Sequence, residues 1–183
     1  MREQGPTFPL TTAEAVDPSI ASSPMLPPGV TRERPELYER NRSLDGPAET
    51  RRVGAKALLR DGERVLLVQE RRADGTTFWS LPGGGREPGE GMLACLRREV
   101  LEELQCEVRL GPLVGTCTYR HSTAEGTVSH YGVFAGKLAG TPTPARREDI
   151  VDLRWVPADS PPAGTLAPFQ QLLGWLTRRD SDS

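Results

Sequence analysis

The stretch LPGGGREPGEGMLACLRREVLEELQC, residues 81–106, decides the fold of this chain and the chemistry it supports. Its second half predicts a helix over Glu90–Leu104 that begins after Gly89. At 100° per residue four apolar side chains share one face, and we expect that face to pack on a sheet: Leu93, Leu96, Val100 and Leu104.

The same helix carries a dense group of carboxylates. Glu99, Glu102 and Glu103 follow one another at i, i+3 and i+4, so they lie close together on a neighbouring face and repel one another. A divalent cation removes this conflict, because Mg²⁺ and Mn²⁺ prefer carboxylate oxygens and bridge them to substrate phosphates. Arg98 lies four residues before Glu102 and is expected to pair with it. The cluster therefore predicts a metal-assisted site for phosphate chemistry.

A glycine-rich loop precedes the helix. Gly83, Gly84 and Gly85 begin a segment that continues to Gly89. Glycines let backbone carbonyls and amides approach a ligand or metal closely. We expect the loop to bring a carbonyl, that of Gly83, into the same metal site. A glycine cluster alone is weak evidence, and no Lys-Ser/Thr follows it as in a Walker loop.

The segments on either side predict a sheet. VGAKALLR (53–60) and ERVLLVQER (63–71) are apolar runs around Asp61-Gly62, which is typical of a β-hairpin. Strands are also expected in FWSLP (78–82) and over 106–121, 127–138 and 149–157, and a closing helix over 166–179. The order predicts an α/β fold: an α/β/α sandwich with a mixed β-sheet between helices. We divide the chain into a Pro-rich extension at 1–50, disordered or loosely packed, a domain at 51–179 and a polar tail at 180–183.

Composition excludes several classes of function. The net charge of -2 argues against bulk nucleic-acid binding. Three scattered cysteines, with no CxxC pair, argue against a disulfide framework or a zinc site and favour a reducing cytoplasm. No apolar run approaches the roughly 20 residues that cross a bilayer, and MREQGPTFPL lacks the apolar core of a signal peptide. Of 23 basic residues only Lys56 and Lys137 are lysines.

The motif resembles a known family. Gly84-x5-Glu90-x7-Arg98-Glu99-Val100-x-Glu102-Glu103-x-Gln105-Cys106 is similar to the Nudix box, G-x5-E-x7-R-E-U-x-E-E-x-G-U, where U is bulky and apolar. Every charged position matches with the correct spacing, and the resemblance spans residues 52–179. Gln105 stands where the box has glycine, a departure that concerns how the helix ends.

The resemblance implies a Mg²⁺- or Mn²⁺-dependent hydrolase of nucleoside diphosphates linked to another moiety, such as a nucleoside triphosphate or a nucleotide sugar. By position, the metal ligands would be Glu99, Glu102, Glu103 and the Gly83 carbonyl, with Glu90 also near the metal. Arg98 would orient these groups. Glu99 or Glu102 is the first candidate for the general base, and Glu148 is the best later one, because acidic residues before the Trp155 strand often lie over the metals in this family.

Other functions remain as alternatives. A non-catalytic Nudix-like domain that senses a nucleotide is the first, although such domains often lose box glutamates that this chain retains. The isomerase branch of the same fold needs a cysteine and histidines that are not matched here. The substrate partner is expected to be a small nucleotide, with no membrane and no bulk nucleic acid, and a homodimer is left open. Marks of the ADP-ribose, diadenosine polyphosphate, NADH and coenzyme A branches are absent.

Overall fold

A computed structural model describes residues 30–31, 50–121, 126–146 and 149–180 of the 183-residue chain. These residues form seven strands and two helices. The elements in chain order are β1 Val30–Thr31, β2 Thr50–Asp61, β3 Arg64–Arg71, β4 Thr77–Ser80, α1 Met92–Leu104, β5 Val108–Arg120, β6 Thr127–Leu138, β7 Ile150–Pro157 and α2 Ala167–Asp180.

The sheet is mixed, as the sequence predicts. Its order is β1-β5-β6-β2-β3-β4, and β7 pairs with β3 off this path. β2 and β6 run parallel over ten registered pairs from Thr50↔Thr127 to Leu59↔Gly136, whereas the other pairings are antiparallel. One apolar cluster lies between the sheet and α2, and another lies between the sheet and α1. Strand β2 contributes alternate residues to the two clusters: Leu58 belongs to the first and Leu59 to the second. The predicted α/β/α sandwich is confirmed.

The hairpin at Asp61-Gly62 opens a space that the site uses. Gly62 has φ 61°, which suits the tight turn. β2 and β3 pair only beside the turn, at Arg60↔Val65 and Asp61↔Arg64. Beyond these two pairs the strands separate, so the inner edge of β2 is free to bind another segment.

The glycine loop fills that edge. The amide of Ala55 donates to the Gly84 carbonyl at 3.0 Å, and the amide of Ala57 donates to the Pro82 carbonyl at 2.8 Å. A Cβ on Gly54 would collide with the Gly84 carbonyl, and a Cβ on Gly83, which has φ 121°, would collide with the Ala55 carbonyl. Backbone meets backbone here at a distance that only glycine permits.

The start of helix α1 differs from the prediction. The helix begins at Met92 with Gly91 as its N-cap, two residues later than expected, because Gly89 has φ 81° and Gly91 is extended. The prediction that Leu93 packs on the sheet is wrong, since its exposed fraction is 41%. In this first turn Met92 and Cys95 turn inward instead, which leaves Leu93 on the outer flank.

The N-terminal region contributes one short strand to the sheet. Val30 and Thr31 pair with Cys117 and Thr116 of β5, a contact that the sequence did not predict. The remainder of the Pro-rich extension, up to residue 49, lies outside the described residues, as does the tail from 181 onward. All three cysteines are buried and unpaired. Neither described helix combines the length and the apolar character that a bilayer crossing requires.

Helix α1 ends where the family motif has glycine. Gln105 adopts the left-handed conformation, with φ 51° and ψ 34°, and its amide donates to the Leu101 carbonyl at 3.0 Å. Its side-chain Nε2 donates to the Pro144 carbonyl at 3.3 Å, an exposed contact that contributes little. The chain therefore forms a left-handed helix cap here with a residue that carries a Cβ.

We predict that Gln105→Gly stabilises the protein. Glycine adopts the left-handed conformation without the Cβ penalty, so the free energy of unfolding should rise by roughly 1 kcal/mol. Urea unfolding followed by fluorescence measures the change. Gln105→Ala is the matched control, because it removes the Pro144 contact and keeps the Cβ. A Gln105→Gly protein no more stable than Gln105→Ala would contradict this account of the cap.

Candidate active site

Arg98 is the centre of the carboxylate cluster. Its Nε and one terminal nitrogen donate to the two oxygens of Glu90, both at 2.9 Å. Its other terminal nitrogen donates to Glu99 at 2.9 Å and to Glu102 at 3.0 Å. The nitrogen that binds Glu90 also reaches the Gly85 carbonyl at 3.1 Å. One guanidinium therefore fixes three carboxylates and ties the helix to the glycine loop.

Glu90 precedes the helix and faces it. Its backbone amide donates to the Glu87 carbonyl at 3.1 Å, a turn that directs its side chain toward Arg98. The hydrogen bonds from Arg98, with a smaller contribution from the Glu87 amide, lower the pKa of Glu90 to about 2. Glu90 is thus the fixed anion that anchors Arg98.

Glu99 and Glu102 differ in their surroundings. The Glu99 carboxylate lies against Gly84, where any Cβ would collide with it, and it is half-buried. Burial raises the pKa of Glu99, although Arg98 opposes this. The Glu102 side chain is 42% exposed, although it binds the same Arg98 nitrogen as Glu99.

Glu103 is the buried member of the group. Its exposed fraction is 7%, and one of its oxygens accepts a hydrogen bond from the Gly83 amide at 2.7 Å. Burial raises the pKa of Glu103 above its ordinary value, while the charge of Lys56 opposes the shift. The carboxylate is held at the base of the glycine loop with a single backbone donor.

Lys56 is a site residue that the sequence analysis did not identify. It lies on β2 with an exposed fraction of 4%, and its Nζ donates to the Gly83 carbonyl. The same Nζ lies 3.7 Å from an oxygen of Glu70 on β3 and 5.4 Å from the ring centre of Tyr131. Burial alone would lower the pKa of Lys56, but Glu70 and Glu103 hold it above its ordinary value. The signal was present as a lysine inside the apolar run VGAKALLR of an arginine-rich chain.

The remaining candidates lie elsewhere or outside the described residues. Glu148 falls in the undescribed pair 147–148, so its place relative to the cluster stays a prediction. His121 contacts the hydroxyl of Ser129 at 2.8 Å and His130 contacts that of Thr118 at 3.1 Å, on the β5–β6 pair. Both histidines therefore have partners on the β5–β6 pair.

The structure brings Glu90, Glu99 and Glu102 around Arg98, with Glu103 beside the Gly83 amide. Within the described ranges no three acidic, histidine or cysteine side chains are already grouped as metal donors. Several carboxylate oxygens of the cluster instead accept hydrogen bonds from Arg98 and from the Gly83 amide. The donor chemistry, carboxylate and carbonyl oxygen, nevertheless suits Mg²⁺ or Mn²⁺.

Similar sequences occur among known proteins. The family model described as the NUDIX domain matches residues 50–173. The chain is 45% identical over 51 residues to the 8-oxo-dGDP phosphatase NUDT18 of Homo sapiens, a match of 27% of this chain and 16% of that protein. It is 32% identical over 90 residues to the nucleoside triphosphatase NudI of Enterobacter sp. (strain 638), a match of 45% of this chain and 63% of that protein. The match therefore spans less than two thirds of either relative.

Solved structures share the fold. A MutT NUDIX hydrolase from Burkholderia pseudomallei superposes with a TM-score of 0.59 at 26% identity, over 68% of this chain and 97% of that one. The MutT protein of Methanosarcina mazei Go1 superposes with a TM-score of 0.62 at 20% identity, over 75% of this chain and 98% of that one. The second likeness concerns the fold alone.

We predict that the buried Glu103 makes stability depend on pH when metal is chelated. Because the folded state holds the Glu103 proton more tightly than the unfolded chain, where a glutamate ionises near 4.5, the free energy of unfolding falls as pH rises above that value. Glu103→Gln removes this loss, which should be on the order of 2 kcal/mol. Urea unfolding in EDTA, between about pH 5 and about pH 9, measures this difference in the free energy of unfolding.

Glu107→Gln is the control for this experiment, because Glu107 is exposed just beyond the helix. Its stability should follow the wild-type pH curve. If the free energy of unfolding depends on pH in the same way for wild type and Glu103→Gln, the pKa of Glu103 is not raised in the folded state and the prediction is wrong.

Proposed function

The chain belongs to the NUDIX domain family, and we propose that it is an enzyme that hydrolyses the pyrophosphate bond of a nucleoside diphosphate linked to another group, with Mg²⁺ or Mn²⁺ as cofactor. The observation that carries the proposal is the convergence of the α1 carboxylates and the glycine loop around Arg98. An acidic helix face that was merely solvated would not need a guanidinium that binds three carboxylates and a loop carbonyl.

The metal would be held by residues of the helix and the loop. Glu99, Glu102 and Glu103 offer carboxylate oxygens, and Gly83 offers its carbonyl. When bound, the cation would draw charge from the pyrophosphate and lower the pKa of an attacking water. Glu90 holds Arg98 in place, so these two residues orient the ligands. The fit rests on donor chemistry, since carboxylate and carbonyl oxygens are the ligands that Mg²⁺ and Mn²⁺ prefer.

The general base is proposed to be a carboxylate at the exposed side of the cluster. Glu102 reaches solvent, whereas Glu99 is half-buried against Gly84. Either carboxylate would accept a proton from water once Arg98 releases the carboxylate oxygen that it binds. Carboxylates are suitable bases for this step. Glu148 remains the alternative from the segment before β7.

The substrate is proposed to be a nucleoside di- or triphosphate. The names of NUDT18 and NudI describe action on nucleotides without a sugar attached to the terminal phosphate. A putative 8-oxo-dGTP diphosphatase of Bacillus subtilis (strain 168) is 27% identical over 99 residues, or 61% of that protein. We therefore place oxidised and unmodified purine nucleotides first and nucleotide sugars second.

The proposal is tested by a turnover screen of the purified full chain. Wild type with Mg²⁺ or Mn²⁺ should cleave the pyrophosphate bond of at least one of the dNTPs, oxidised purine nucleotides, ADP-ribose, nucleotide sugars or dinucleoside polyphosphates. Chromatography should show release of a nucleotide together with phosphate, pyrophosphate, a sugar phosphate or a second nucleotide, according to the substrate. EDTA should abolish the release, because the cation supplies the charge on which hydrolysis depends. A chain that binds a nucleotide of the panel and hydrolyses none would support the non-catalytic sensor instead.

We predict that Glu102→Gln keeps the fold and lowers kcat by about two orders of magnitude or more, because it removes one charge from the metal site. Glu102 is exposed, so thermal unfolding should change little. Glu107→Gln, beyond the helix, is the matched control and should turn over at the wild-type rate. Equal rates for Glu102→Gln and wild type would exclude this carboxylate from the site.

A further inference from the structure

The choice of lysine at position 56 is informative. Only two of the 23 basic residues are lysines, and Lys56 is buried while Lys137 is exposed on β6. A buried lysine needs anionic or carbonyl partners, because the charge loses its hydration. A compact ammonium with three donors fits between a backbone carbonyl and a carboxylate, where a planar guanidinium does not.

Lys56 lies between two acceptors that are used unequally. Its Nζ donates to the Gly83 carbonyl, the loop oxygen proposed above as a metal ligand. On the other side, Oε1 of Glu70 is 3.7 Å away, beyond the length of a hydrogen bond. Among the described residues this Oε1 is also the one buried side-chain polar atom that has no hydrogen-bond partner.

A buried carboxylate oxygen without a hydrogen-bond donor costs free energy. Its presence is explained if a second conformation or a ligand supplies the missing donor. Lys56 provides the second state. A divalent cation on the Gly83 carbonyl would repel the ammonium already bound there. Rotation about the flexible lysine side chain would carry Nζ the short distance to Glu70, where its charge is compensated. The vacated carbonyl would then have its lone pairs free for the cation.

We propose that Lys56 and Glu70 are a positioning pair for the metal site: the Lys56 ammonium holds the Gly83 carbonyl until a divalent cation enters, and then moves onto the free oxygen of Glu70. The inference rests on the proposed role of the Gly83 carbonyl as a ligand. The ammonium exchanges one hydrogen-bond acceptor for another, no covalent bond is made or broken, and no proton moves. Glu70 supports the loaded state without touching the metal, and Lys56 keeps the loop in place in the unloaded state.

The first test is Mn²⁺ uptake by the full chain without nucleotide, measured from the electron paramagnetic resonance signal of free Mn²⁺. Glu70→Gln should bind Mn²⁺ on the order of tenfold more weakly than wild type, because the displaced ammonium loses its carboxylate. Glu63→Gln is the matched control, since Glu63 is exposed just before the same strand. Its affinity should equal that of wild type.

The second test uses wild-type protein and so does not depend on the folding of a variant. Selective ¹⁵N-lysine labelling gives two side-chain signals, from Lys56 and Lys137. Saturation with Mg²⁺ should shift the Nζ signal of Lys56 and leave that of Lys137 in place. A shift confined to Lys56, together with weaker Mn²⁺ uptake in Glu70→Gln, is the expected result.

Two outcomes would overturn the inference, and they are distinguishable. If wild type binds Mn²⁺ while the Lys56 signal stays fixed and Glu70→Gln binds as tightly as Glu63→Gln, the positioning pair is wrong and the metal site stands. If wild type takes up neither Mn²⁺ nor Mg²⁺, the metal site fails, and the pair fails with it.

Discussion

Repulsion among carboxylates is the constraint on which this structure depends. Glu99, Glu102 and Glu103 lie on one short stretch of helix, and Glu90 faces the same stretch from the preceding loop. Two cationic side chains oppose the repulsion: Arg98 binds the outer carboxylates, and Lys56 lies on the buried side near Glu103. Neither cation neutralises the whole group. The remaining negative charge, next to a carbonyl-lined loop, is the basis of the proposed divalent-ion site.

The glycine loop converts this charge pattern into a defined geometry. Because β2 and β3 separate after the hairpin, the backbone around Gly84 pairs with β2 as a further strand would. The Gly83 backbone is then bound on both sides of its Cα: its amide donates to Glu103, and its carbonyl accepts from Lys56. One residue thus connects the acidic helix to the sheet. A side chain on any glycine of this loop that contacts β2 or Glu99 would break the connection.

The sequence predicts the fold well where the signal is local. Alternation and the Asp61-Gly62 turn locate the hairpin, and the predicted strand over residues 127–138 has the bounds that the structure shows. The helix start was placed two residues early because periodicity alone does not show that Gly89 and Gly91 hold Glu90 outside the helix. Leu93 lies within the helix but on its outer flank, because Met92 and Cys95 take the inward positions of the first turn.

The site was predicted in part, and the difference has a physical cause. The spacing of the helix glutamates and Arg98 is a local property, so the pairing of Arg98 with Glu102 follows from the sequence. Lys56 comes between Gly83 and Glu70 only because β2, β3 and the loop lie side by side in the fold, which no local pattern encodes.

The central claim is that the helix carboxylates hold divalent ions for a phosphate chain. Its most direct test is Mn²⁺-enhanced water-proton relaxation with a non-hydrolysable nucleotide. Saturable enhancement that disappears when Glu99 and Glu103 are both changed to glutamine is predicted, and no enhancement in wild type would contradict the account.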